Sequence, residues 1–432
     1  MTGWNFYISW EGVRLFMENL RFDSRALHGP DRRKDVHNCT RYPVYAGVAF
    51  NFESAEDMED AFLHRKPSHA YSRITNPSVE LFEQTLTMLE NGFGGIALSS
   101  GMAAITNTLL ALVNKDDNII ASKYLFGNTL SLLGETFKGF GIQARFVDVN
   151  DEKSLENAID ESSRLIFCET ITNPQMNVSD FPTISRIAQK YELAVVVDNT
   201  VTTPYLFNAK IHGVNVVVHS TTKYISGGAT SVGGAIIDLG NYDWTKNRAL
   251  QKYHDRGEFA FLARLRREVY RNFGACMSPQ AAYLQTLGLE TLSLRISKSC
   301  ENALRIARFL EESPKITAVN YPGLESSDYY HLAQKQFNGA AGGVISFELG
   351  DKQEAFNFID SLCLIRRATN INDNKSLIIH PASTIFADFS NEKKETMGVT
   401  DGLVRLSVGI EDVRDLMDDI NQALMSRSPG QR

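Results

Sequence analysis

Lys223 stands in Ser220-Thr221-Thr222-Lys223, directly after the apolar run VNVVVH. An amine at the end of a buried strand can condense with an aldehyde. Ser220 and Thr222 alternate with it and can hold an anionic group. Upstream, the apolar run LAVVVD ends on Asp198. A carboxylate there is costly to bury without a partner. The protonated nitrogen of a pyridine ring is such a partner, and the carboxylate would keep that ring an electron sink. In ALSSGMAAI, residues Ser99, Ser100, Gly101 and Met102 lie between a strand and a helix start. Backbone N–H groups and the helix dipole make a phosphate cup at such a junction. Tyr124, after the run NIIAS, offers an aromatic face to a flat ring.

Each residue taken singly has an ordinary role: a solvated lysine, a turn aspartate, an N-cap serine, a core or surface tyrosine. Their joint order, each at the end of a strand, is what a pyridoxal phosphate site requires. The glycines of Gly92-Phe93-Gly94-Gly95-Ile96-Ala97 match a GxGxxA dinucleotide pattern, but they precede their strand instead of following it, so that reading is rejected.

The elements that must hold these groups are legible from periodicity. IALSS, NIIAS, ARFVDV, RLIFCET, LAVVVD and VNVVVHS are apolar throughout, which suits strands buried on both faces. Helical segments such as VELFEQTLTMLENG, MAAITNTLLALVN and TLSLLGETFKGF alternate with them. The pattern predicts an α/β chain with a mostly parallel, doubly wound sheet. Residues 1–75 read as an extended arm, broken by HGPDRRKDVHNCTRYP, with a short helix expected in ESAEDMEDAFLHRK. Residues 76–275 read as the large domain, and 276–432 as a smaller α+β domain. That domain closes on EDVRDLMDDINQALMS, which puts Val413, Leu416, Met417, Ile420 and Leu424 on one stripe.

Bulk properties narrow the class. The 432 residues suggest two or three structural units, and a formal net charge of -7 argues against nucleic acid or anionic membrane as main partner. The five cysteines are odd in number and form no CxxC pair, which suggests free thiols in a reducing compartment and no structural metal. The amino terminus lacks the apolar stretch of a signal peptide, and the expected location is cytoplasmic.

The stretches YSRITNP, SSGMAAI, YLFGNT, ETITNPQM, VDNTVTTPY, HSTTKYISGG, SLIIHPAS and GLVRLSVGIED resemble the Cys/Met-metabolism family of pyridoxal-phosphate enzymes, of fold type I, over residues 20 to 427. The resemblance implies that Lys223 carries the cofactor and moves protons between substrate carbons, and that Asp198 pairs with the pyridine nitrogen. Tyr124 would stack on the ring and assist the leaving group. Ser100, Gly101, Met102, Ser220 and Thr222 would hold the phosphate, and Asn173 the ring hydroxyl. Tyr71 and Arg73 would reach the phosphate of a neighbouring subunit, which implies a homo-oligomer with shared sites, a tetramer. Arg405 would clamp the substrate carboxylate, helped by Asn370.

Within that family NYDWTK, RNFGACMSPQAAYLQTLGLETLSLR and NYPGLESSDYY resemble O-acetylhomoserine sulfhydrylases, as does Asn370 with Lys375. Asn128 stands where methionine γ-lyases carry cysteine. The implied reaction is γ-replacement on O-acetyl-L-homoserine, giving homocysteine and acetate in methionine biosynthesis; the alternatives are a methionine or cystathionine γ-lyase and a cystathionine γ-synthase. Three motifs depart from the relatives. Phe386 replaces the histidine of HPASxTH, Gly228 falls where GGHG has histidine, and Asn372 and Asn374 replace the small residues of NxGDA. They are expected near the site entrance, where they leave the cofactor untouched and the sulfur donor open between sulfide and sulfur carried on another molecule, a protein included.

Overall fold

The computed structural model describes residues 20–29, 37–63, 65–66 and 68–426. The six expected apolar runs, with one further strand, pair as a seven-stranded sheet: β1 (Gly94–Leu98), β2 (Asn118–Ser122), β3 (Gln143–Val147), β4 (Ser163–Glu169), β5 (Ala194–Asp198), β6 (Val216–His219) and β7 (Gly234–Asp238), in the order β1-β7-β6-β5-β4-β2-β3. Neighbours from β3 across to β6 are all parallel. Only β7 runs against both its neighbours, so the sheet is mixed but mostly parallel, as predicted. The runs are apolar because both faces are covered: Val195, Val196, Val197, Val216, Val217 and Val218 are all buried. Parallel pairing sends each strand's carboxyl end to one edge, so Glu169, Asp198 and the residues after His219 meet there.

Strand β7 is absent from the expectations. Its apolar core is only Ala235-Ile236-Ile237 between glycines and Asp238, too short for a periodic signal. Its position has a purpose: a Cβ on Gly234 would lie 2.0 Å from the Ser100 carbonyl oxygen, so only glycine lets this strand pass the Ser100–Gly101 turn.

A second sheet contains β8 (Ala318–Asn320), β9 (Val344–Glu348), β10 (Arg366–Arg367), β11 (Leu377–Ile379) and β12 (Leu403–Ser407), ordered β10-β11-β12-β9-β8. Helices Leu292–Glu311, Lys352–Ser361 and Val413–Met425 accompany it. Of the predicted terminal stripe, Val413, Leu416, Ile420 and Leu424 are buried, and Asp412 caps the helix by accepting from the Arg414 N–H.

The amino-terminal arm is not wholly extended. Residues 1–19 lie outside the described part, but Phe22–His28 is helical and sets Ala26 into the core, with Phe22 packed beside it. The helix expected after Ser54 forms over Ala55–Phe62, with Ser54 accepting from the Asp57 N–H. TLSLLGETFKGF is helical from Gly127 to Gly139, but its middle, Leu132–Thr136, winds as a wider π turn.

The departures also differ from expectation in place. Phe386 is fully buried, in one hydrophobic cluster with Leu125, Leu130 and Ala382 and in ring contact with Phe389, so it is a core residue. Asn372 is likewise buried. Only Asn374 and Gly228 are partly exposed; the Asn374 amide donates to the Gly227 carbonyl at 3.0 Å. Since Phe386 fills core volume, Phe386→Ala should cost about 3 kcal/mol or more and lower the thermal midpoint by several degrees. A midpoint unchanged within error would show that the site repacks without cost.

Candidate active site

The carboxyl edge of the large sheet meets the centre of β12 around a cavity of about 330 Å³. Its lining includes Ser100, Gly101, Met102, Asn173, Asp198, Ser220, Thr222, Lys223 and Arg405, which the sequence nominated together. Asn370 joins them through its side chain: the Lys223 ammonium donates to Asn370 Oδ1 at 2.5 Å. Tyr71, Arg73 and Tyr124 do not line it.

Lys223 follows β6 and is mostly buried. Desolvation, with the Arg405 cation nearby, lowers its pKa to about 8, although Asp198 and Asp373 oppose this. An amine so tuned has a far larger unprotonated fraction at neutral pH than a free lysine, and that is the form that attacks an aldehyde. Asp198 ends β5. Its Oδ1 accepts from the Thr200 N–H at 2.9 Å, and the Thr200 hydroxyl oxygen accepts in turn from the Ser220 N–H at 2.7 Å. Burial raises the Asp198 pKa, while Thr200, His219 and Lys223 pull it down.

Arg405 is 1% exposed, and every partner it has is neutral. Its guanidinium donates to Asn173 Oδ1 at 3.4 Å and to the carbonyls of Thr369 and Asn370 at 3.3 and 3.0 Å; Nε has no partner. Glu411, a conceivable counter-ion, instead accepts from the N–H and hydroxyl of Ser376. Burial lowers the Arg405 pKa to about 9, which still leaves a cation at neutral pH. A buried, uncompensated guanidinium lining a cavity calls for an anion in that cavity.

The expected phosphate cup lies at a helix start. Ser100 caps helix Gly101–Leu112 by accepting from the Ala103 N–H, so its side chain does the ordinary capping job. The first-turn N–H groups of Gly101 and Met102 have no acceptor within the helix and face a dipole that favours an anion. A Cβ on Gly101 would sit 2.6 Å from Ser220 Cβ, so glycine allows the two segments to close on one ligand. The Thr222 hydroxyl already exchanges hydrogen bonds with the Gly233 backbone at 3.1 and 3.0 Å, and an anion would compete for it.

Tyr124 is displaced from its expected place. Its ring packs under the Lys123 ammonium, 4.8 Å from the ring centroid, and the aromatic lining the cavity is Phe126. The physical reason is the tight turn after β2: the Tyr124 N–H is tied to Ser122 Oγ, so the chain re-enters the cavity two residues later. Arg73 donates to the Arg271 carbonyl at 2.7 Å and lies 5.5 Å from the Tyr71 ring; both are exposed on the arm, outside this chain's own cavity.

Sequence reasoning missed Glu169. It ends β4 in register with Asp198, is buried, and accepts from the Phe126 N–H at 2.7 Å. Burial first, and then the Asp198 charge, raises its pKa well above the usual carboxylate range, so the two neighbouring carboxyl groups resist being ionised together. The signal was present: RLIFCE, like LAVVVD, is a buried strand ending on a carboxylate. Thr200 was missed too.

The residues fit a phosphorylated pyridine aldehyde, with a cup, a carboxylate, an amine and an orphaned guanidinium around one cavity. The comparisons agree. Residues 23–425 match the family described as Cys/Met metabolism PLP-dependent enzyme. A solved structure of a putative O-acetylhomoserine (thiol)-lyase from Campylobacter jejuni, containing a pyridoxyl-lysine phosphate, is 37% identical, covers 94% of this chain and 100% of its own, and superposes with a TM-score of 0.89. The homocysteine/cysteine synthase of Saccharomyces cerevisiae is 35% identical over 95% of this chain and 99% of its own. The L-methionine gamma-lyase of Pseudomonas putida is 37% identical over 93% and 97%.

A pH prediction follows from Lys223. Its amine is protonated below its pKa, so the rate at which cofactor-free protein covalently captures pyridoxal phosphate should rise with pH through a midpoint near 8. Stopped-flow absorbance measures this. A midpoint near that of a free lysine, about 10.4, would mean that burial does not tune the amine.

Proposed function

The chain belongs to the Cys/Met metabolism family of enzymes, whose cofactor is pyridoxal 5'-phosphate, and from that premise we propose that it catalyses γ-replacement on an activated homoserine. A sulfur nucleophile displaces the γ-substituent, and with O-acetyl-L-homoserine and hydrosulfide the products are homocysteine and acetate. The observation that carries the reading is Arg405: a buried cation without an anionic partner, in the same cavity as Lys223, suited to the carboxylate of an amino acid. The sulfhydrylase-like relatives support the finer choice.

When bound, the cofactor supplies an electron sink conjugated to the substrate's α-carbon. The chain supplies the rest. Asp198 would pair with the pyridine nitrogen and favour its protonated form, with Glu169 beside it. The N–H groups of Gly101 and Met102, with Ser220 and Thr222, would hold the phosphate. Arg405 receives the substrate carboxylate through two parallel N–H bonds. Asn370 ties these parts together, since its side chain accepts from Lys223 and its carbonyl from Arg405. Lys223, in its unprotonated form, would act as base at the α-carbon and, once it has handed that proton back to the bound substrate–cofactor adduct, as base again at the β-carbon.

The exposed apolar side chains of the arm, Val44, Val48, Met58, Phe62 and Leu63, support an oligomer in which this face is covered. In that assembly Tyr71 and Arg73 serve the phosphate of a neighbouring subunit, and two such dimers form the tetramer. Among the described residues no helix is long and apolar enough to cross a membrane, and the proposed location is cytoplasmic.

The test is a panel of acetyl, succinyl and phosphoryl homoserine with sulfide, and methionine alone. Homocysteine from an activated homoserine, with silence on methionine, is expected. Faster release of a thiol and a 2-oxo acid from methionine would make the enzyme a γ-lyase. Lys223→Ala should lose turnover by about 10²-fold or more, together with the covalent chromophore.

A further inference from the structure

The displaced tyrosine has a chemical consequence. Breaking the bond from the γ-carbon to its substituent expels that substituent with the bonding electron pair. A carboxylate departs as an anion already stable in water, since its acid has a pKa near 4. A thiolate, whose acid has a pKa of about 8.5, leaves well only if it is protonated as it goes. A phenol beside the reacting carbon would be a suitable acid. Here the aromatic at the cavity is Phe126, and among the described residues none lining the cavity is tyrosine, histidine or cysteine.

The ionisable groups that do line it are committed elsewhere. Arg405 has no proton to give near neutrality. Asp198, at the end of β5, accepts from the Thr200 N–H and would face the pyridine nitrogen. Lys223 works on the carbon-bound protons. Glu169 stands level with Asp198 in the strand register, with one oxygen held by the Phe126 N–H. The Tyr124 hydroxyl lies outside the cavity.

Resting on the γ-replacement reading, we propose that Phe126 is a specificity-determining residue. By withholding a proton donor, it confines the enzyme to leaving groups that depart as stable anions and to sulfur donors that arrive already ionised. The second half follows from microscopic reversibility: a site without an acid for a departing thiolate has no base for an entering thiol. Hydrogen sulfide, about half of it hydrosulfide near neutral pH, is then a better donor than an alkyl thiol such as that of cysteine, whose pKa is about 8.5. The proton balance closes, because the α- and β-protons that Lys223 removes are both returned to carbon before the product leaves, hydrosulfide brings the proton of the product thiol, and acetate leaves unprotonated.

The experiment compares the holoenzyme and Phe126→Tyr on two substrates, O-acetyl-L-homoserine with sulfide and L-cystathionine alone. The visible absorbance of the bound cofactor serves as control that both proteins are loaded and folded. The wild type should process the ester at least ~10²-fold faster than it cleaves the thioether, and Phe126→Tyr should raise thioether cleavage by ~10-fold or more while changing the ester rate several-fold at most. With the ester substrate, the wild-type rate against pH at fixed total sulfide should follow the hydrosulfide fraction, and cysteine should be a poor donor. Wild-type thioether cleavage within ~10-fold of the ester rate, or a ratio unmoved in Phe126→Tyr, overturns the proposal. Tyr71→Phe should slow both substrates alike; a selective loss on the thioether would put the acid on Tyr71 and also overturn it. If no activated homoserine reacts at all, the γ-replacement reading itself falls, and this proposal with it.

Discussion

Two cations and two carboxyl groups share one cavity, and among the described residues none of the four is neutralised by a salt bridge. Lys223 leans on the Asn370 amide, Arg405 on carbonyls and an amide, Asp198 on Thr200, and Glu169 on the Phe126 N–H. Direct pairing would discharge the site and leave nothing for a ligand. Neutral dipoles hold the charges in place and apart instead. Each group then keeps an unmet electrostatic demand that a zwitterionic, phosphorylated ligand set can satisfy.

The fold exists, for functional purposes, to maintain that separation. Parallel pairing of β4, β5 and β6 brings Glu169, Asp198 and the Lys223 loop to one edge, and burial of both faces makes the edge rigid. The second sheet brings Arg405 to the opposite wall, from the middle of β12, flanked by Ile379 and Ser346. A cation on a central strand cannot swing out to solvent, so its charge stays directed at the cavity. Gly101 and Gly234 let three backbone segments converge where a side chain would have held them apart. Phe386, in the core, contributes volume and not chemistry.

Much of this was legible before any coordinates. The apolar runs with polar ends predicted the strands, their direction and the edge where ligands bind, because burial on both faces leaves an uninterrupted apolar signature. Asp198, Lys223, Ser220 and Gly101 stood out because each breaks such a run with a group that burial penalises. Glu169 breaks a run in the same way and was passed over, although the argument applied to Asp198 reaches it unchanged. β7 was beyond reach for a different reason: three apolar residues between glycines carry no period, and its reversed direction is set only by the neighbours it fits between.

The sequence by itself determined which groups are available and that strand ends must carry them, since local polarity and periodicity are properties of the chain alone. Only the tertiary structure decided which of two aromatics, Tyr124 or Phe126, reaches the cavity, because two residues of turn geometry separate them and composition does not favour either. It likewise decided that Arg405 has no counter-ion among the described residues, that Glu169 is the buried neighbour of Asp198, and that Phe386 is core. Those are statements about distance and burial between segments hundreds of residues apart, and no local pattern encodes them.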